Sequence, residues 1–364
     1  MRDCAYTKYG TFCINAYCQH VAFIHNAIKR SKIMINFKVG ILGAGNIAEA
    51  VADTLNKLDA FEPYAIASRD IEKAKAFAEK YNIEKSYGSY EELANDPEVE
   101  LIYIATPHSH HAEQAKMCIN AGKPVLVEKA FSYNGESAKE VLDLANEKKV
   151  FCGEAIWTRY MPSYLYIKDR IKNGAIGEVQ NIVCSLGYDV KAKERIVNPA
   201  LAGGALLDLG VYPLNLIYMV YGIDPAQMAT TCARLSSGVD AQFVLQMSFP
   251  TGQVATVFST ILYKADNNAI IYGNKGYMEI DNINNPEEIR IYNGDGKLVD
   301  GTKVTGSQKN GNPFTGYEYE FIAARNAIIL GKTEPEQMPH SETLRIMNLM
   351  DGIRNIWKIK YPME

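Results

Sequence analysis

A glutamate and a lysine end a short apolar run, Val125-Leu126-Val127-Glu128-Lys129. If that run is a strand of a parallel sheet, the pair lies at the carboxyl edge of the sheet, where cofactors and substrates bind in such folds. Lys129 is then either a solvated surface charge or an ammonium group that stabilises negative charge on a substrate oxygen. Position alone does not decide between the two.

An aspartate and a tyrosine stand four residues apart, at Asp208 and Tyr212, in an apolar stretch between Gly203 and Pro213. On a helix the two side chains project from one face. Together with Lys129 they form a candidate set for proton transfer. The plainer alternative is a core tyrosine and an aspartate that caps a helix.

A glycine turn of the form Gly-x-Gly-x-x-Ala follows an apolar run at residues 37–42. In a dinucleotide-binding fold Gly43 permits the tight turn, and Gly45 lets the backbone approach a pyrophosphate. The helix that starts at Asn46 and Ile47 offers free N–H groups to the phosphates. An ordinary glycine turn is the alternative, but a strand before it and an amphipathic helix after it favour nucleotide binding.

The second strand leads into Ser68, Arg69 and Asp70. An acidic residue that binds the ribose hydroxyls at this place marks a preference for NAD. Arg69 can instead pair with a 2′-phosphate, and Asp70 is well placed to cap the next helix. We therefore expect NADP as the cofactor, with NAD as the alternative in which Asp70 binds the ribose.

A later strand leads into Thr106 and Pro107, which are followed by three histidines, His108, His110 and His111. Histidines grouped in this way raise the possibility of a metal site. However, no aspartate, glutamate or cysteine stands nearby with the spacing of metal ligands. We expect no metal, and we expect these residues to line the cofactor crevice.

The alternation of apolar runs and amphipathic segments from residue 37 to 154 predicts βαβ units and a doubly wound parallel sheet. The predicted strands are residues 37–43, 63–68, 101–105, 124–127 and 150–155. The predicted helices between them are residues 46–58, 71–81, 109–121 and 135–148. This α/β domain is expected to cover residues 34–156.

After residue 160 the pattern changes to longer β-rich runs joined by turns, which indicates an open, mainly antiparallel sheet. The predicted strands are residues 179–190, 227–235, 239–249, 253–262, 268–273 and 276–281. The predicted helices are residues 164–173, 209–221, 315–331 and 341–357. We expect an α+β domain at residues 157–364, with its last helices packed back on the first domain.

The composition limits the classes to which this protein can belong. The chain has 364 residues, of which 47% are hydrophobic and 22% are charged, and a formal net charge of -4. That length suits two domains, and the charge gives no reason to expect nucleic acid or an acidic membrane surface as a partner. We expect no membrane span, because no apolar run reaches the length of one.

The seven cysteines are scattered without metal-ligand spacing. This is typical of reduced thiols in a cytoplasmic protein. Residues 1–33 hold three of these cysteines and show no helical or strand period. We expect this segment to be an extension outside the fold, either poorly ordered or derived from a misassigned start.

Four stretches carry a resemblance to a known family: ASRD at residues 67–70, YGSYEEL at residues 87–93, EAIWTRYMP at residues 154–162 and GGALLDLGVY at residues 203–212. Together they span both predicted domains. On these residues the chain from Phe37 to its end resembles the Gfo/Idh/MocA oxidoreductase family, which has an N-terminal Rossmann domain. Within that family it is most similar to the dimeric dihydrodiol dehydrogenases, also called NADP-dependent D-xylose dehydrogenases.

The resemblance implies that Lys129 and Tyr212 share the catalytic work, while Asp208 supports the lysine or the substrate. It also implies NADP as the cofactor and a homodimer formed through the sheet of the second domain. The family pattern Glu-Lys-Pro is not kept, because Ala130 replaces the proline. The residues that the resemblance places in the cofactor crevice are Arg69, His108 and His111.

We expect a hydride transfer between NADP and a secondary or anomeric hydroxyl of a sugar or a trans-dihydrodiol. Lys129 is expected to lower the pKa of Tyr212, so that the phenolate accepts the hydroxyl proton. Trp157 and Arg159 are expected to line the substrate pocket, with packing at the domain junction as the alternative.

Three other functions stay open at this point. The first is an NAD-dependent inositol or sugar dehydrogenase of the same family. The second is a hydrolase or lyase that uses the nicotinamide only transiently. The third is a non-catalytic sensor that binds NADP.

Overall fold

The computed structural model describes residues 36–303 and 315–364. The extension predicted at residues 1–33, with its three cysteines, lies outside the described residues. The described chain forms two sheets with helices packed on them.

The first sheet has six parallel strands in the order β3-β2-β1-β4-β5-β6. The chain order reverses between β1 and β4, so the carboxyl ends of these two strands form the crevice in which doubly wound folds bind ligands. The predicted doubly wound parallel sheet is therefore confirmed. The strands are β1 (Phe37–Leu42), β2 (Phe61–Ala67), β3 (Lys85–Tyr87), β4 (Leu101–Ile104), β5 (Val125–Glu128) and β6 (Cys152–Ala155).

Five helices connect these strands, and one of them was not predicted. Helix α3 follows β3 and begins with a capping box, in which the Ser89 hydroxyl accepts from the Glu92 N–H and the Glu92 carboxylate accepts from the Ser89 N–H. The remaining helices agree with the predicted segments to within about three residues at each end. The five are α1 (Asn46–Leu55), α2 (Ile71–Tyr81), α3 (Tyr90–Asn95), α4 (His108–Asn120) and α5 (Gly135–Lys148).

The second sheet has eight strands in the order β14-β13-β12-β11-β7-β10-β9-β8. All neighbouring pairs are antiparallel except β7 and β10, which are parallel. The mainly antiparallel sheet is confirmed, and its last two strands were not predicted. The strands are β7 (Val179–Gly187), β8 (Gln227–Arg234), β9 (Asp240–Ser248), β10 (Val254–Thr260), β11 (Ala269–Gly273), β12 (Gly276–Ile280), β13 (Glu288–Asn293) and β14 (Leu298–Lys303).

Three helices of the second domain precede or follow β7: α6 (Pro162–Lys172), the single turn α7 (Glu194–Val197) and α8 (Val211–Tyr221). A π-helical turn at Leu206–Gly210 leads into α8. It lies so close to the sheet that a Cβ at Gly210 would come within 2.8 Å of the Phe243 ring.

The expectation that no apolar run is long enough to cross a membrane is wrong for one segment. The helical run Pro199–Tyr221 has the length and composition for a span. However, 89% of its most apolar window is buried inside the protein. The apolar side chains of this run therefore pack into the protein interior, where they join the core of the second sheet.

The last two helices, α9 (Glu318–Ile329) and α10 (His340–Trp357), contact the first domain. From α9, the Phe321 ring lies 5.3 Å from the Tyr103 ring of the first sheet, between ring centroids. From α10, the Asp351 carboxylate accepts a 2.6 Å hydrogen bond from the N–H of Gly135, at the start of α5. These contacts tie the two sheets together around the crevice.

Candidate active site

The glycine turn between β1 and α1 has the geometry of a phosphate cradle. Gly43 has a φ of +102°, and a Cβ there would lie 2.9 Å from Cγ2 of Thr106. Helix α1 starts at Asn46, after Gly45, and no side chain caps its first N–H groups. Such an open helix N-terminus binds phosphate through its N–H groups and its dipole. The residues present fit the pyrophosphate of a dinucleotide.

Beyond β2, Asp70 takes the capping role that the sequence suggested as the alternative to a ribose contact. One carboxylate oxygen of Asp70 accepts from the N–H groups of Glu72 and Lys73, which is the capping role predicted for it. The Ser68 hydroxyl accepts from the N–H of Asp70 at 3.3 Å. Arg69 is exposed between them at this edge of the crevice.

Two of the three histidines after β4, His108 and His111, are buried and lie close to backbone oxygens, whereas His110 is half-buried. Nδ1 of His108 lies 2.9 Å from the carbonyl oxygen of Ala202, which belongs to the second domain. The His111 ring lies between the carbonyl oxygens of Thr106 and Ala130, at 2.7 and 3.0 Å. Burial lowers the pKa of His108 to about 3 and that of His111 to about 4, so both rings are neutral near pH 7.

These histidines form no metal cluster. Within residues 36–303 and 315–364, no group of three His, Cys, Asp or Glu side chains is arranged to hold a metal ion. Pro107 stands at the N-terminus of α4, and the Thr106 hydroxyl donates to the side chain of Gln114. The segment therefore forms one wall of the crevice and links it to the second domain.

The lysine of the first domain reaches the aspartate of the second. Nζ of Lys129 donates to the backbone oxygen of Asp208 at 2.7 Å and to its Oδ1 at 3.2 Å. The same ammonium lies 5.0 Å from the centroid of the Tyr212 ring. Asp208 lies in the π-helical turn and Tyr212 at the start of α8, and both face Lys129. The peptide bond between Lys129 and Ala130 is cis.

Asp208 also binds a residue that the sequence did not single out. Nη1 of Arg195, from α7, donates to Oδ1 of Asp208 at 2.8 Å. Burial opposes ionisation of Asp208, but the charges of Lys129 and Arg195 outweigh it and hold the pKa of this carboxyl below its usual value. Asp208 is therefore an anion that two cations share. Arg195 lies thirteen residues before Asp208, on the single turn α7, which is too short to show a period in the sequence.

Glu128 lies beneath the lysine and is buried. Its carboxylate accepts a short hydrogen bond from the hydroxyl of Tyr103. Burial raises the pKa of Glu128, although Lys129 and the Tyr103 hydrogen bond oppose that rise. Glu128 therefore holds the end of β5, directly before Lys129.

The state of Tyr212 differs from the expectation. Nε1 of Trp157 donates to the Tyr212 oxygen at 3.1 Å, and Trp157 stacks on Tyr317 with 4.3 Å between ring centroids. Burial, with the neighbouring Tyr317, Glu128 and Asp208, raises the pKa of Tyr212 well above its ordinary value. The pKa of Tyr212 is therefore raised, and not lowered by Lys129 as predicted, and the phenol keeps its proton.

The two residues predicted for the substrate pocket lie in different places. Trp157 adjoins Tyr212, as described above. The buried guanidinium of Arg159 donates to the Glu342 carboxylate and to the backbone oxygen of Gln337. These contacts favour packing, the alternative given for Arg159, over a place in the substrate pocket. Tyr317, which no spacing in the sequence connects to Trp157, takes its place beside the tryptophan.

Two family models match the chain, one for each of the two sheets. Residues 37–155 match a family model described as an oxidoreductase family with an NAD-binding Rossmann fold. Residues 164–279 match the model of the Gfo/Idh/MocA C-terminal domain. Both sheets of the structure therefore belong to domains of one family.

The similarity to curated relatives covers nearly the whole length of those proteins. The chain is 34% identical to the trans-1,2-dihydrobenzene-1,2-diol dehydrogenase of Xenopus tropicalis, over 89% of this chain and 99% of that protein. It is 32% identical to the enzyme of the same name from Mus musculus, over 89% of this chain and 98% of that one.

Solved structures share the fold. An aldose-aldose oxidoreductase from Caulobacter crescentus, complexed with glycerol, has a TM-score of 0.79 at 22% identity and covers 89% of this chain and 98% of its own. KijD10, a 3-ketoreductase from Actinomadura kijaniata complexed with NADP and TDP-benzene, has a TM-score of 0.76 at 23% identity, over 88% and 97% of the two chains. The matched domains and the full-length relatives agree. The chain belongs to the Gfo/Idh/MocA family of NAD(P)-binding oxidoreductases.

Proposed function

We propose that this protein is an NADP-dependent dehydrogenase that acts on a secondary or anomeric hydroxyl of a sugar or a trans-dihydrodiol. The observation that carries the proposal is the meeting of Lys129 with Asp208 and Tyr212. A lysine at the carboxyl edge of the cofactor-binding sheet and a buried phenol from the second domain form one cluster. The names of the relatives, dehydrogenases and ketoreductases, support the same class of reaction.

The crevice offers a separate group of residues to each part of the cofactor. The turn at Gly43 and Gly45, with the first N–H groups of Asn46 and Ile47, suits the pyrophosphate. Thr106, Pro107, His108, His111, Glu128 and Lys129 line the end toward the second domain. The cofactor, when bound, supplies the acceptor or donor of the hydride.

Two side chains support NADP over NAD. Arg69 is exposed where the 2′ position of the adenosine ribose lies in such folds, and its guanidinium can bind a phosphate with two hydrogen bonds. Asp70 caps α2 with one carboxylate oxygen, so its first role is structural.

Tyr212 is the candidate proton donor and acceptor. Its oxygen accepts a hydrogen bond from the N–H of the Trp157 indole, so the hydroxyl proton of Tyr212 is available to a different acceptor. Because burial keeps the phenol neutral, Tyr212 is ready to protonate the oxygen of a carbonyl substrate during reduction. In the oxidation direction the phenol must first release that proton, so the rate of oxidation is expected to rise with pH.

Lys129 is the candidate electrostatic group. An ammonium has three N–H donors, and the described residues accept two of them, both through Asp208. The third is available to a substrate oxygen. It would stabilise negative charge on that oxygen in a site from which most water is excluded.

The test combines two variants with two matched controls. Lys129→Met and Tyr212→Phe should abolish turnover while NADPH binding, measured by fluorescence, is retained. Tyr218→Phe is the control on the same helix, because its buried hydroxyl has no hydrogen-bond partner among the described residues. Lys85→Met is the control for an ion-paired lysine in the same sheet. Near-normal turnover in both active-site variants would contradict the assignment.

A substrate screen separates this function from its alternatives. Absorbance of the reduced nicotinamide is followed with NADP or NAD and D-xylose, D-glucose, myo-inositol or a trans-dihydrodiol. Preference for NAD with inositol would favour the NAD-dependent alternative. Product formation without net NADPH would indicate the hydrolase or lyase class. Tight NADP binding without turnover of any substrate would indicate a sensor.

We propose that the partner of the chain is a second copy, bound through the outer face of the second sheet. Apolar side chains are exposed on its adjacent strands, where a surface of this kind marks an interaction site. Sedimentation of Val244→Lys should show a monomer, with Leu330→Lys, a change at an exposed leucine outside this sheet, as the control. A wild-type monomer would contradict the proposal. The exposed residues are Val183, Val244, Val254, Tyr263 and Tyr272.

A further inference from the structure

One carboxylate oxygen in the crevice serves two cations. Oδ1 of Asp208 lies 2.8 Å from Nη1 of Arg195 and 3.2 Å from Nζ of Lys129. The first distance is in the range of a charge-assisted hydrogen bond, and the second is at the long end for any hydrogen bond. The carboxylate of Asp208 therefore makes its shorter hydrogen bond with the arginine.

The lysine is held in a different way. Its shortest hydrogen bond, at 2.7 Å, goes to the backbone oxygen of Asp208, which is neutral. That contact fixes the position of Nζ without neutralising its charge. Because Arg195 draws the carboxylate toward itself, the positive charge of Lys129 stays available to a substrate oxygen.

Arg195 is suited to this role by its location. It comes from the one-turn helix α7 of the second domain, and its side chain is 43% exposed while that of Asp208 is 5% exposed. Arg195 comes from α7 and Lys129 follows the end of β5, so the two cations reach Asp208 from different domains. If the guanidinium is removed, the Asp208 carboxylate is free to close on Nζ.

We infer that Arg195 is a positioning residue that holds the Asp208 carboxylate away from Lys129, so that the ammonium keeps its charge and one N–H for the substrate oxygen. The inference rests on the proposed function of Lys129. It extends the proposed active site to α7, a segment that no motif in the sequence singled out.

The first measurement is steady-state turnover of Arg195→Ala. Loss of one charge-assisted contact predicts a fall in kcat of about tenfold to hundredfold, with NADPH affinity unchanged and with thermal stability lowered only modestly, because Lys129 still pairs with the Asp208 carboxylate. Arg195→Lys should be intermediate, because it keeps the charge but not the planar geometry. Millimolar guanidinium should restore part of the turnover of Arg195→Ala, because the vacated site opens to solvent.

Arg345→Ala is the matched control. Arg345 has the same side-chain exposure of 43% and also pairs with an aspartate, Asp224, but it lies on α10 outside the crevice. It should match the wild type in every assay. Wild-type turnover in Arg195→Ala would overturn the inference. A loss of turnover that accompanies lost NADPH binding, and that guanidinium does not restore, would also overturn it, because the role is then structural.

A second measurement does not need turnover. Acetylation of Lys129 by acetic anhydride, followed by mass spectrometry, should be slower in Arg195→Ala than in the wild type, because the freed carboxylate then holds the ammonium. Lys123 provides the internal reference. If the wild type turns over no substrate, the proposed function fails and this labelling decides the inference by itself. Equal or faster labelling of Lys129 in Arg195→Ala would overturn it.

Discussion

Alanine at either glycine of the turn between β1 and α1 should weaken NADPH binding, but only one of the two replacements should destabilise the protein. Gly43 has a φ of +102°, and a Cβ there would lie 2.9 Å from Cγ2 of Thr106 and 3.2 Å from the carbonyl oxygen of Ala105. A strained backbone of this kind costs about 1–3 kcal/mol, and a backbone carbonyl cannot rotate out of the way. Gly43→Ala should therefore lower the free energy of unfolding of the cofactor-free protein by about 2–3 kcal/mol.

Gly45 has a φ of -99° and a ψ of -177°, which any residue adopts. A Cβ there would meet only the Ala105 carbonyl oxygen, at 3.9 Å. Gly45→Ala should leave the stability of the cofactor-free protein unchanged or raise it by about 0.4–1 kcal/mol. The added methyl group would nevertheless stand where the pyrophosphate approaches the backbone. NADPH affinity should fall by about tenfold to hundredfold, as expected when phosphate hydrogen bonds are lost.

The assay measures two quantities on the same samples, thermal unfolding without cofactor and NADPH binding by fluorescence titration. Gly43→Ala should lower both stability and binding, and Gly45→Ala should lower binding alone. Wild-type NADPH affinity in Gly45→Ala would refute the assignment of this turn to the pyrophosphate. Equal loss of stability in both variants would refute the reasoning from backbone geometry.

Three further predictions concern single side chains. Arg69→Ala should weaken NADP binding by about tenfold and leave NAD binding unchanged in parallel titrations, and equal loss for both cofactors would contradict the 2′-phosphate contact. Because burial raises the pKa of Tyr212, the phenolate fraction increases with pH, and kcat/KM for oxidation should rise without a plateau up to at least about pH 10. Over the same range kcat/KM for reduction should stay level, and an oxidation rate that levels off near neutral pH would indicate another base. Arg159→Met should lower the free energy of unfolding by about 2–3 kcal/mol in urea, less than for a fully buried pair, because the side chain of Glu342 is 32% exposed. A loss of turnover without a loss of stability would return Arg159 to the substrate pocket.

The first sheet was predictable because each of its longer strands is an apolar run followed by an amphipathic helix. Burial on both faces of a parallel sheet produces such runs. The crevice was predictable for the same reason, since the residues after β1, β2, β4 and β5 must meet at one edge of the sheet. Pattern alone thus located Gly43, Arg69, His108 and Lys129.

Two elements of the first domain were missed because they are too short to show a period. Strand β3 has three residues and helix α3 has six. The capping box of Ser89 and Glu92 was nevertheless readable in the sequence, because a serine three residues before a glutamate marks a helix start. Strand β13 was also detectable, since Ile289 and Ile291 alternate with polar residues and are both buried.

The partners of the active-site residues were beyond the sequence. Tyr317 lies 160 positions after Trp157, on which it stacks, and Arg195 reaches Asp208 from a single helical turn. No period or short spacing connects residues that meet only after the second sheet has formed. Such contacts are set by the packing of α7, α8 and α9 around the crevice.

The same packing explains why the expected lowering of the Tyr212 pKa does not occur. Among the described residues, Lys129 donates its hydrogen bonds to Asp208 and none to the Tyr212 oxygen. Asp208 itself opposes a second negative charge on Tyr212, and burial opposes it further. The resting site therefore pairs a neutral phenol with a held ammonium, which is the arrangement that carbonyl reduction uses without prior deprotonation. A ketose or aldose with NADPH is for that reason the first substrate pair to test, ahead of an alcohol with NADP.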